Sequence, residues 1–494
     1  MEKYAFISVY DKRGLSPLVK ALAKHGYKII STGGTKRYLE KMGYKVIESS
    51  SFTGFDEILG GRVKTLHPKI HGGILARNYD ELKRYSLPNI EVVVVNLYPF
   101  EDMAKKSIGT DKLIEYIDIG GVALIRAAAK NYKRVCVLTS PEDYAEFINR
   151  LERGIDENYR RNLALKAFAR TAIYDAVIYN TLWNLWEKSF PDVFIFPYMK
   201  REELRYGENP HQRACFYVDG TFSWKQLHGR KLSFNNIYDV DSAYRLVNDL
   251  DGIACAIIKH GNPCGAAMGS TPKEAYEKAL SGDKLSAYGG IVAFNTTVDE
   301  ETAESMRKMF FECVIAPGYE EGALNILKKK KRLRIIEAER PKYEGYDIRK
   351  VMGGLLVQTW DRKFDESWEL VSKREADEYE LEDLKFAWRV VRHVRSNAIV
   401  FAKNLMTVGI GAGQMSRVDS VKIAAMKAGE RARGAVMASD AFFPFPDAIE
   451  IAAEAGITAI VQPGGSIRDK EIIEKVNEFA MAMYFTGYRV FKHW

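Results

Sequence analysis

The chain has 494 residues, 47% of them apolar and 28% charged, with five cysteines and a formal net charge of +8. That length suggests two to four domains, and the composition is that of a protein with sizeable cores, not a disordered or fibrous one. No apolar run approaches the ~20 residues that span a bilayer, and five scattered cysteines do not make a disulfide framework. Met1 to Tyr10 enters a strand pattern directly, without a signal-peptide apolar region, so the expected location is cytoplasmic. The positive charge fits small anionic substrates. No helix-turn-helix, zinc-finger or RNA-recognition pattern accompanies it, so nucleic acid is not the expected partner. The basic run Lys328 to Arg332 reads as a solvated helix end.

Residues 1 to about 190 alternate strand-like and helix-like segments. Tyr4–Val9, Lys28–Ser31, Val46–Glu48, Val92–Asn96 and Val135–Leu138 read as short apolar strands, with helical patterns at Leu15–His25 and Thr35–Met42 between them. This is the pattern of a parallel α/β sheet. A helical stretch, Glu142–Ser189, follows, and Pro191 and Pro197 mark a linker. Ile29-Ile-Ser-Thr-Gly-Gly-Thr35 runs a strand into a Gly-rich turn that opens a helix. Backbone N–H groups there, with the Ser31, Thr32 and Thr35 hydroxyls, suit a phosphate at a helix N-terminus. Lys12, just after the first strand, adds charge at the same sheet edge, where open α/β folds bind ligands.

Gly60-Gly-Arg-Val-Lys-Thr-Leu-His-Pro-Lys-Ile-His-Gly-Gly73 places three cations and two histidines between glycine pairs. His67 and His71 have a metal-ligand spacing for a helix, but Pro68 between them and the flanking glycines argue against a helix, so no metal is expected. Arg62 and Lys64 are expected to bind an anion. Asn96-Leu-Tyr-Pro99 ends an apolar strand and offers the Tyr98 phenol. Ile117-Asp-Ile-Gly-Gly121 and Arg126-Ala-Ala-Ala-Lys-Asn131 supply Asp118 and Lys130. Four such features on the loops of one sheet point to a shared pocket.

The second half opens on Leu204-Arg-Tyr-Gly-Glu-Asn-Pro-His-Gln212. The run Ile253 to Ile258 reads as a buried strand, followed by Lys259, His260 and a loop of the turn formers Gly261, Asn262, Pro263 and Gly265. A cation and an imidazole at a strand end have the chemistry of proton transfer and charge stabilisation. A second strand-to-loop transition, Val408-Gly-Ile-Gly-Ala-Gly-Gln414, suggests an internal duplication at low residue identity, with residues 373–396 separating the two parts. Pro263-Cys264 lacks the second cysteine and the His-x-Glu of a zinc deaminase. Ser439-Asp-Ala-Phe-Phe-Pro-Phe-Pro-Asp447 sets aromatics beside two carboxylates, a slot for a flat heterocycle.

These segments, in this order, resemble one bifunctional purine-biosynthesis family, 5-aminoimidazole-4-carboxamide ribonucleotide (AICAR) formyltransferase with inosine monophosphate (IMP) cyclohydrolase. The resemblance rests on Gly-Arg-Val-Lys-Thr-Leu-His-Pro-Lys-Ile-His-Gly-Gly, Ile-Asp-Ile-Gly-Gly-Val, Arg-Tyr-Gly-Glu-Asn-Pro-His-Gln, Lys-His-Gly-Asn-Pro-Cys-Gly, Gly-Ile-Gly-Ala-Gly-Gln-Met-Ser-Arg and Ser-Asp-Ala-Phe-Phe-Pro-Phe, and covers nearly the whole chain. It implies an α/β fold: a methylglyoxal-synthase-like parallel-sheet domain over residues 1–195, and a transformylase region over 196–494 built of two cytidine-deaminase-like subdomains without zinc. It implies formyl transfer from 10-formyltetrahydrofolate to AICAR, giving the formylated nucleotide FAICAR, then dehydrating closure of FAICAR to IMP. A homodimer is implied, with the transferase site between subunits, and no catalytic metal.

Carried over by matching motif, Lys64, Tyr98, Asp118 and Lys130 would serve the cyclohydrolase, with Lys12, Thr32, Gly34, Thr35, Arg62, Thr65 and Asn96 around its nucleotide. Lys259, His260 and Asn397 would serve the transferase. Arg205, Tyr206, Asn236, Arg417 and Arg489 would bind its nucleotide, with Phe445, Asp447 and the Pro463–Ser466 turn at the folate pocket. Tyr10 stands where the family usually has Ser, Asp56 where Pro is frequent, and the stretch between Lys427 and Ser439 is short.

Overall fold

The computed structural model describes residues 1–493 apart from positions 107, 188, 222, 344, 364 and 366. Two compact units divide the chain, Met1–Pro197 and Tyr198–Trp494. In the first, strands β1 (Lys3–Val9), β2 (Tyr27–Ser31), β3 (Val46–Glu48), β4 (Asn89–Asn96) and β5 (Cys136–Leu138) form one sheet in the order β3-β2-β1-β4-β5. Every pairing is parallel. Helices cover both faces of a parallel sheet, which is why β1 and β4 are nearly continuous apolar runs. The helix Leu15–Lys24 buries Leu15, Leu18, Val19 and Leu22, the i, i+3, i+4, i+7 face. The expected helical stretch after residue 142 is two helices, Tyr144–Arg153 and Glu157–Trp186, broken at Gly154 with φ 107°. The strand order reverses between β1 and β4. Their C-terminal loops, around Tyr10–Lys12 and Leu97–Pro99, flank the crevice where such sheets bind ligands.

The second unit holds two hairpins, β6 (Met199–Glu203) with β7 (Cys215–Val218) and β14 (Tyr346–Val351) with β15 (Gly354–Thr359), and a twelve-stranded mixed sheet. The sheet is built of β8 (Trp224–His228), β9 (Ile253–Lys259), β10 (Asn262–Gly269), β11 (Ile291–Phe294), β12 (Cys313–Ala316), β13 (Arg334–Ala338), β16 (Glu369–Leu370), β17 (Ile399–Lys403), β18 (Met406–Gly411), β19 (Val436–Ser439), β20 (Ala459–Gln462) and β21 (Ala482–Phe485). Its order is β16-β21-β20-β19-β17-β18-β10-β9-β11-β12-β13-β8. Each half repeats one plan: an edge strand, a helix, an antiparallel hairpin, then three parallel strands joined by helices. The halves meet where β10 pairs with β18 at Ala267 and Met406. One face buries a core common to both halves, and the other carries two separate cores.

Four expectations change. Pro68–Leu75 is an α-helix despite Pro68, because proline sits in its first turn and the His67 side chain accepts from the Lys69 N–H. Asn262, Pro263 and Gly265 are not in a loop. The turn takes only His260 and Gly261, and β10 absorbs Pro263 at an irregularity in its pairing with β9. Residues 373–396 do not separate the halves; Glu378–Val391 is a helix packed on β17 and β19. The run Lys328 to Arg332 is not uniformly solvated, since the Lys330 ammonium donates to the Met306 carbonyl at 3.0 Å and Arg332 lines a cavity. Among the described residues no helix is long and apolar enough to cross a membrane, and no group of three or more His, Cys, Asp or Glu is placed to hold a metal ion.

Candidate active sites

A cavity of about 700 Å³ lies at the β1/β4 crevice of the first unit. Its walls bring together Lys12, Thr32, Gly34, Thr35, Arg62, Lys64, Thr65, Asn96, Tyr98 and Asp118. The helix Gly33–Lys41 opens there with no side chain capping its N-terminus. A Cβ on Gly34 would meet nothing within 4 Å, so the first turn has open space beside Gly34. The Thr35 N–H donates to the Thr32 carbonyl at 3.0 Å, so the Gly33 and Gly34 amides are the ones without a side-chain cap, a donor arrangement that suits an anion. The Thr35 hydroxyl ties that helix to β1: it donates to the Val9 carbonyl at 3.0 Å and accepts from the Val9 N–H at 3.1 Å. The Asn96 amide is bonded to the loop that follows β1. Its Oδ1 accepts from the Tyr10 and Asp11 N–H groups at 2.6 and 2.9 Å, and its Nδ2 donates to the Asp11 carbonyl at 2.8 Å. Both residues shape the cavity through the backbone. Arg62 pairs with Glu115 across the rim, its Nε 3.2 Å from the carboxylate.

Asp118 is the pivot of this site. Its carboxylate accepts from the Gly121 N–H at 2.7 Å, where helix Gly120–Lys130 begins. Burial pushes its carboxyl above the ordinary carboxylate value, opposed by the Gly121 and Tyr98 amides and by the Lys64 ammonium. A carboxylate raised in this way is a better proton acceptor near neutrality. Lys130 is at the far end of the same helix and lines an adjoining cavity of about 670 Å³, with His71 and Arg126, on the other side of Asp118. The Lys64, Tyr98 and Asp118 groups thus share one chamber, with Lys130 behind it.

In the second unit a cavity of about 380 Å³ brings together Arg205, Tyr206, Asn236, Lys259 and His260. His260 is exposed at the tip of the β9–β10 turn. The Lys259 ammonium donates to the Tyr288 carbonyl at 2.9 Å, leaving two of its three N–H bonds free. Asn236 closes a capping box with Ser233 at the start of helix Phe234–Asn248. Arg230, Arg332 and Asp239 also line this cavity and were not foreseen. Arg230 sits in a loop and carries no local pattern, and Arg332 ends the basic run from Lys328 that reads as a solvated helix end. Asp239 lies mid-helix, 21 residues before the turn it touches.

Asn397, Arg417, Phe445, Asp447 and Arg489 do not line that cavity. Arg417 is buried: Nη2 donates to Asn397 Oδ1 at 2.8 Å, and Nη1 donates to Ser439 Oγ at 2.9 Å and pairs with Asp440. Phe445 lies under the Arg468 guanidinium at 4.7 Å, and Arg489 covers Phe491 at 4.7 Å. Asp447 is exposed at the start of helix Asp447–Ala455. In the Pro463–Ser466 turn the Gly465 and Ser466 amides donate to Asp469 at 2.7 and 3.0 Å.

Two family patterns match the chain, and the larger spans parts of both units. The pattern of the AICARFT/IMPCHase bienzyme matches residues 128–427, and that of the MGS-like domain matches 14–123. The bifunctional purine biosynthesis protein PurH of Aquifex aeolicus (strain VF5) is 51% identical over 505 residues, 99% of this chain and 100% of that protein. The protein of the same name from Persephonella marina (strain DSM 14350 / EX-H1) is 48% identical, with both chains covered in full. That of Bacillus subtilis (strain 168) is 47% identical over 99% of each. Family pattern and full-length relatives concur: the chain belongs to the AICARFT/IMPCHase bienzyme family.

Proposed function

We propose that the two cavities divide the two reactions of a bifunctional purine-biosynthesis enzyme between them. The chain is an AICAR formyltransferase and IMP cyclohydrolase. The formyl donor in this reading is 10-formyltetrahydrofolate. In the second unit, the AICAR amine is conjugated to its ring and carboxamide and is a weak nucleophile. His260 takes its proton as the new C–N bond forms. Lys259 stabilises charge on the formyl oxygen or protonates the departing folate nitrogen. The guanidiniums of Arg205, Arg230 and Arg332 offer bidentate donors to the nucleotide phosphate.

In the first unit, the phosphate of FAICAR rests on the N-terminus of helix Gly33–Lys41 beside Thr32, Gly34 and Lys12. The carboxamide nitrogen attacks the formyl carbon, and Asp118 accepts the proton it loses. Lys64 or Tyr98 donates to the formyl oxygen, giving a carbinolamine. Its C–O bond then breaks as the hydroxyl takes a second proton, the one Asp118 accepted, and leaves as water. The former formamide nitrogen gives up its own proton to the emptied donor, and the ring C=N bond forms. Bringing two parts of one molecule together mainly requires orientation. The observation that carries this reading is the gathering of Lys64, Tyr98 and Asp118 in one chamber with an uncapped helix N-terminus.

The transferase site is completed by a second copy of the chain. Two observations support this. Asn397, Arg417, Phe445, Asp447 and Arg489 lie outside the Lys259 cavity. The β14–β15 hairpin also exposes the large apolar side chains of Met352, Leu355 and Leu356, surface that a partner would cover. The test mixes Lys259→Ala and Asn397→Ala chains, each inactive in transfer alone. Shared sites predict that mixtures regain transferase activity, whereas sites built within one chain predict that nothing returns.

A further inference from the structure

The turn that carries the catalytic pair is a duplicated device. Lys259 pairs with Asn262, which leaves only His260 and Gly261 as central residues, with φ +54° and +73°. A two-residue turn with both φ positive is the hairpin form that matches strand twist, at a conformational cost for any residue but glycine. The Asp239 carboxylate spans this turn: one oxygen accepts from the His260 N–H at 3.2 Å and the other from the Gly261 N–H at 2.7 Å. A Cβ on Gly261 would lie 2.7 Å from the Tyr238 ring, so a larger residue there requires that ring to shift.

The other half of the sheet repeats each element. Lys403 pairs with Met406, and the central residues Asn404 and Leu405 have φ +55° and +56°. The Asp383 carboxylate accepts from the Asn404 and Leu405 N–H groups at 2.8 and 2.6 Å. Asp239 and Asp383 are both the sixth residue of their helices, and both precede the turn they bind by 21 residues. Even the lysines match. Lys259 donates to the Tyr288 carbonyl and Lys403 to that of Arg433, at 2.9 and 2.6 Å. The tips differ in their side chains: the first turn bears an imidazole and a glycine, the second an amide and a leucine.

We propose that Asp239 is a positioning residue for formyl transfer: by holding the His260 and Gly261 amides it fixes the left-handed backbone that presents the imidazole to the cavity, and Asp383 is its non-catalytic counterpart. The inference rests on the reading of His260 as proton acceptor. Both carboxylates are consumed by backbone amides, so each stabilises its turn. Only at Asp239 does that turn carry a reacting group.

The duplication supplies its own control. Asp239→Asn and Asp383→Asn each replace one charged acceptor by an amide at equivalent positions, so both lower the melting temperature of the second unit by similar amounts. Asp239→Asn lowers the transferase kcat by about 10²-fold, the scale of a 1 Å misplacement, with KM for AICAR held within about threefold. Asp383→Asn leaves kcat within about twofold, and neither variant alters cyclohydrolase turnover of FAICAR. Equal kcat losses in the two variants, or a KM effect in place of a kcat effect, overturn the proposal. Asp239→Glu covers the case in which the Asn variant does not fold. It keeps the charge and shifts it by one methylene, so positioning predicts a lowered kcat, and a kcat within about twofold of wild type overturns it. His260→Ala is assayed alongside. If it still turns over, the reading of His260 fails; if it is inactive while the Asp239 variants are not, only this inference fails.

Discussion

The Arg417–Asp440 pair separates a structural from a substrate-binding role with a single substitution. Arg417 is 6% exposed and Asp440 0%, and the pair lies between the start of β17 and the end of β19. Asp440 also accepts from the Ser396 hydroxyl and the Ala398 N–H, but only the guanidinium neutralises it. Arg417→Ala leaves an uncompensated anion in the interior, which costs about 3–5 kcal/mol. For a unit of this size each kcal/mol lowers Tm by about 2–4 °C, so a drop of roughly 10 °C is expected in calorimetry of the second unit. Adding Asp440→Asn removes the stranded charge and recovers much of the loss. A Tm within about 2 °C of wild type, or a double variant as unstable as the sum of the singles, refutes the argument. If Arg417 instead holds the nucleotide directly, KM for AICAR rises while Tm stays. The Asn397 contact means that transferase loss on Arg417→Ala reaches the site partly through Asn397.

Two other outcomes follow from packing and charge. A Cβ on Gly265 would lie 1.9 Å from the Ala279 carbonyl oxygen and one on Gly409 2.1 Å from that of Ala424, so Gly265→Ala and Gly409→Ala should sharply lower soluble yield and Tm, while Gly354→Ala, with nothing within 4 Å, should not. Burial lowers the Lys492 ammonium to about 8, with Arg395, Arg349 and Arg245 adding to this and Asp241 opposing it. The folded state therefore holds that proton less tightly than the unfolded chain. The stability of wild type relative to Lys492→Met should rise by about 1.4 kcal/mol per pH unit from about pH 8 to the ordinary lysine range. A difference that is flat with pH would show that Lys492 is not desolvated.

The strands of the first unit were legible because a sheet covered on both faces writes its core as unbroken apolar runs, as in Val92–Val95. The Gly-rich turn that opens helix Gly33–Lys41 was legible because strand, glycines and helix are contiguous there. Other features were hidden for stated reasons. Pro68 reads as a helix breaker, yet in a first turn its missing N–H has no partner to lose. Asn262, Pro263 and Gly265 read as turn formers. The register lets a two-residue turn suffice, and Gly265 serves the close approach of helix Pro272–Gly282. Asn96 and Thr35 read as substrate contacts; both line the cavity, and their ties to the backbone of β1 and its following loop could not be read from local sequence. Asp239 was invisible because its partners come from a different element, and the duplication became plain only in the repeated order of strands and helices.

The central claim is that two chemistries run at two separate sites, and the most direct measurement assays both half-reactions in His260→Ala and Lys64→Ala. The account predicts a double dissociation. His260→Ala loses about 10²-fold or more in formyl transfer to AICAR and closes supplied FAICAR at the wild-type rate. Lys64→Ala transfers formyl normally and accumulates FAICAR without forming IMP. Equal loss of both activities in either variant, or wild-type IMP formation by Lys64→Ala, contradicts it.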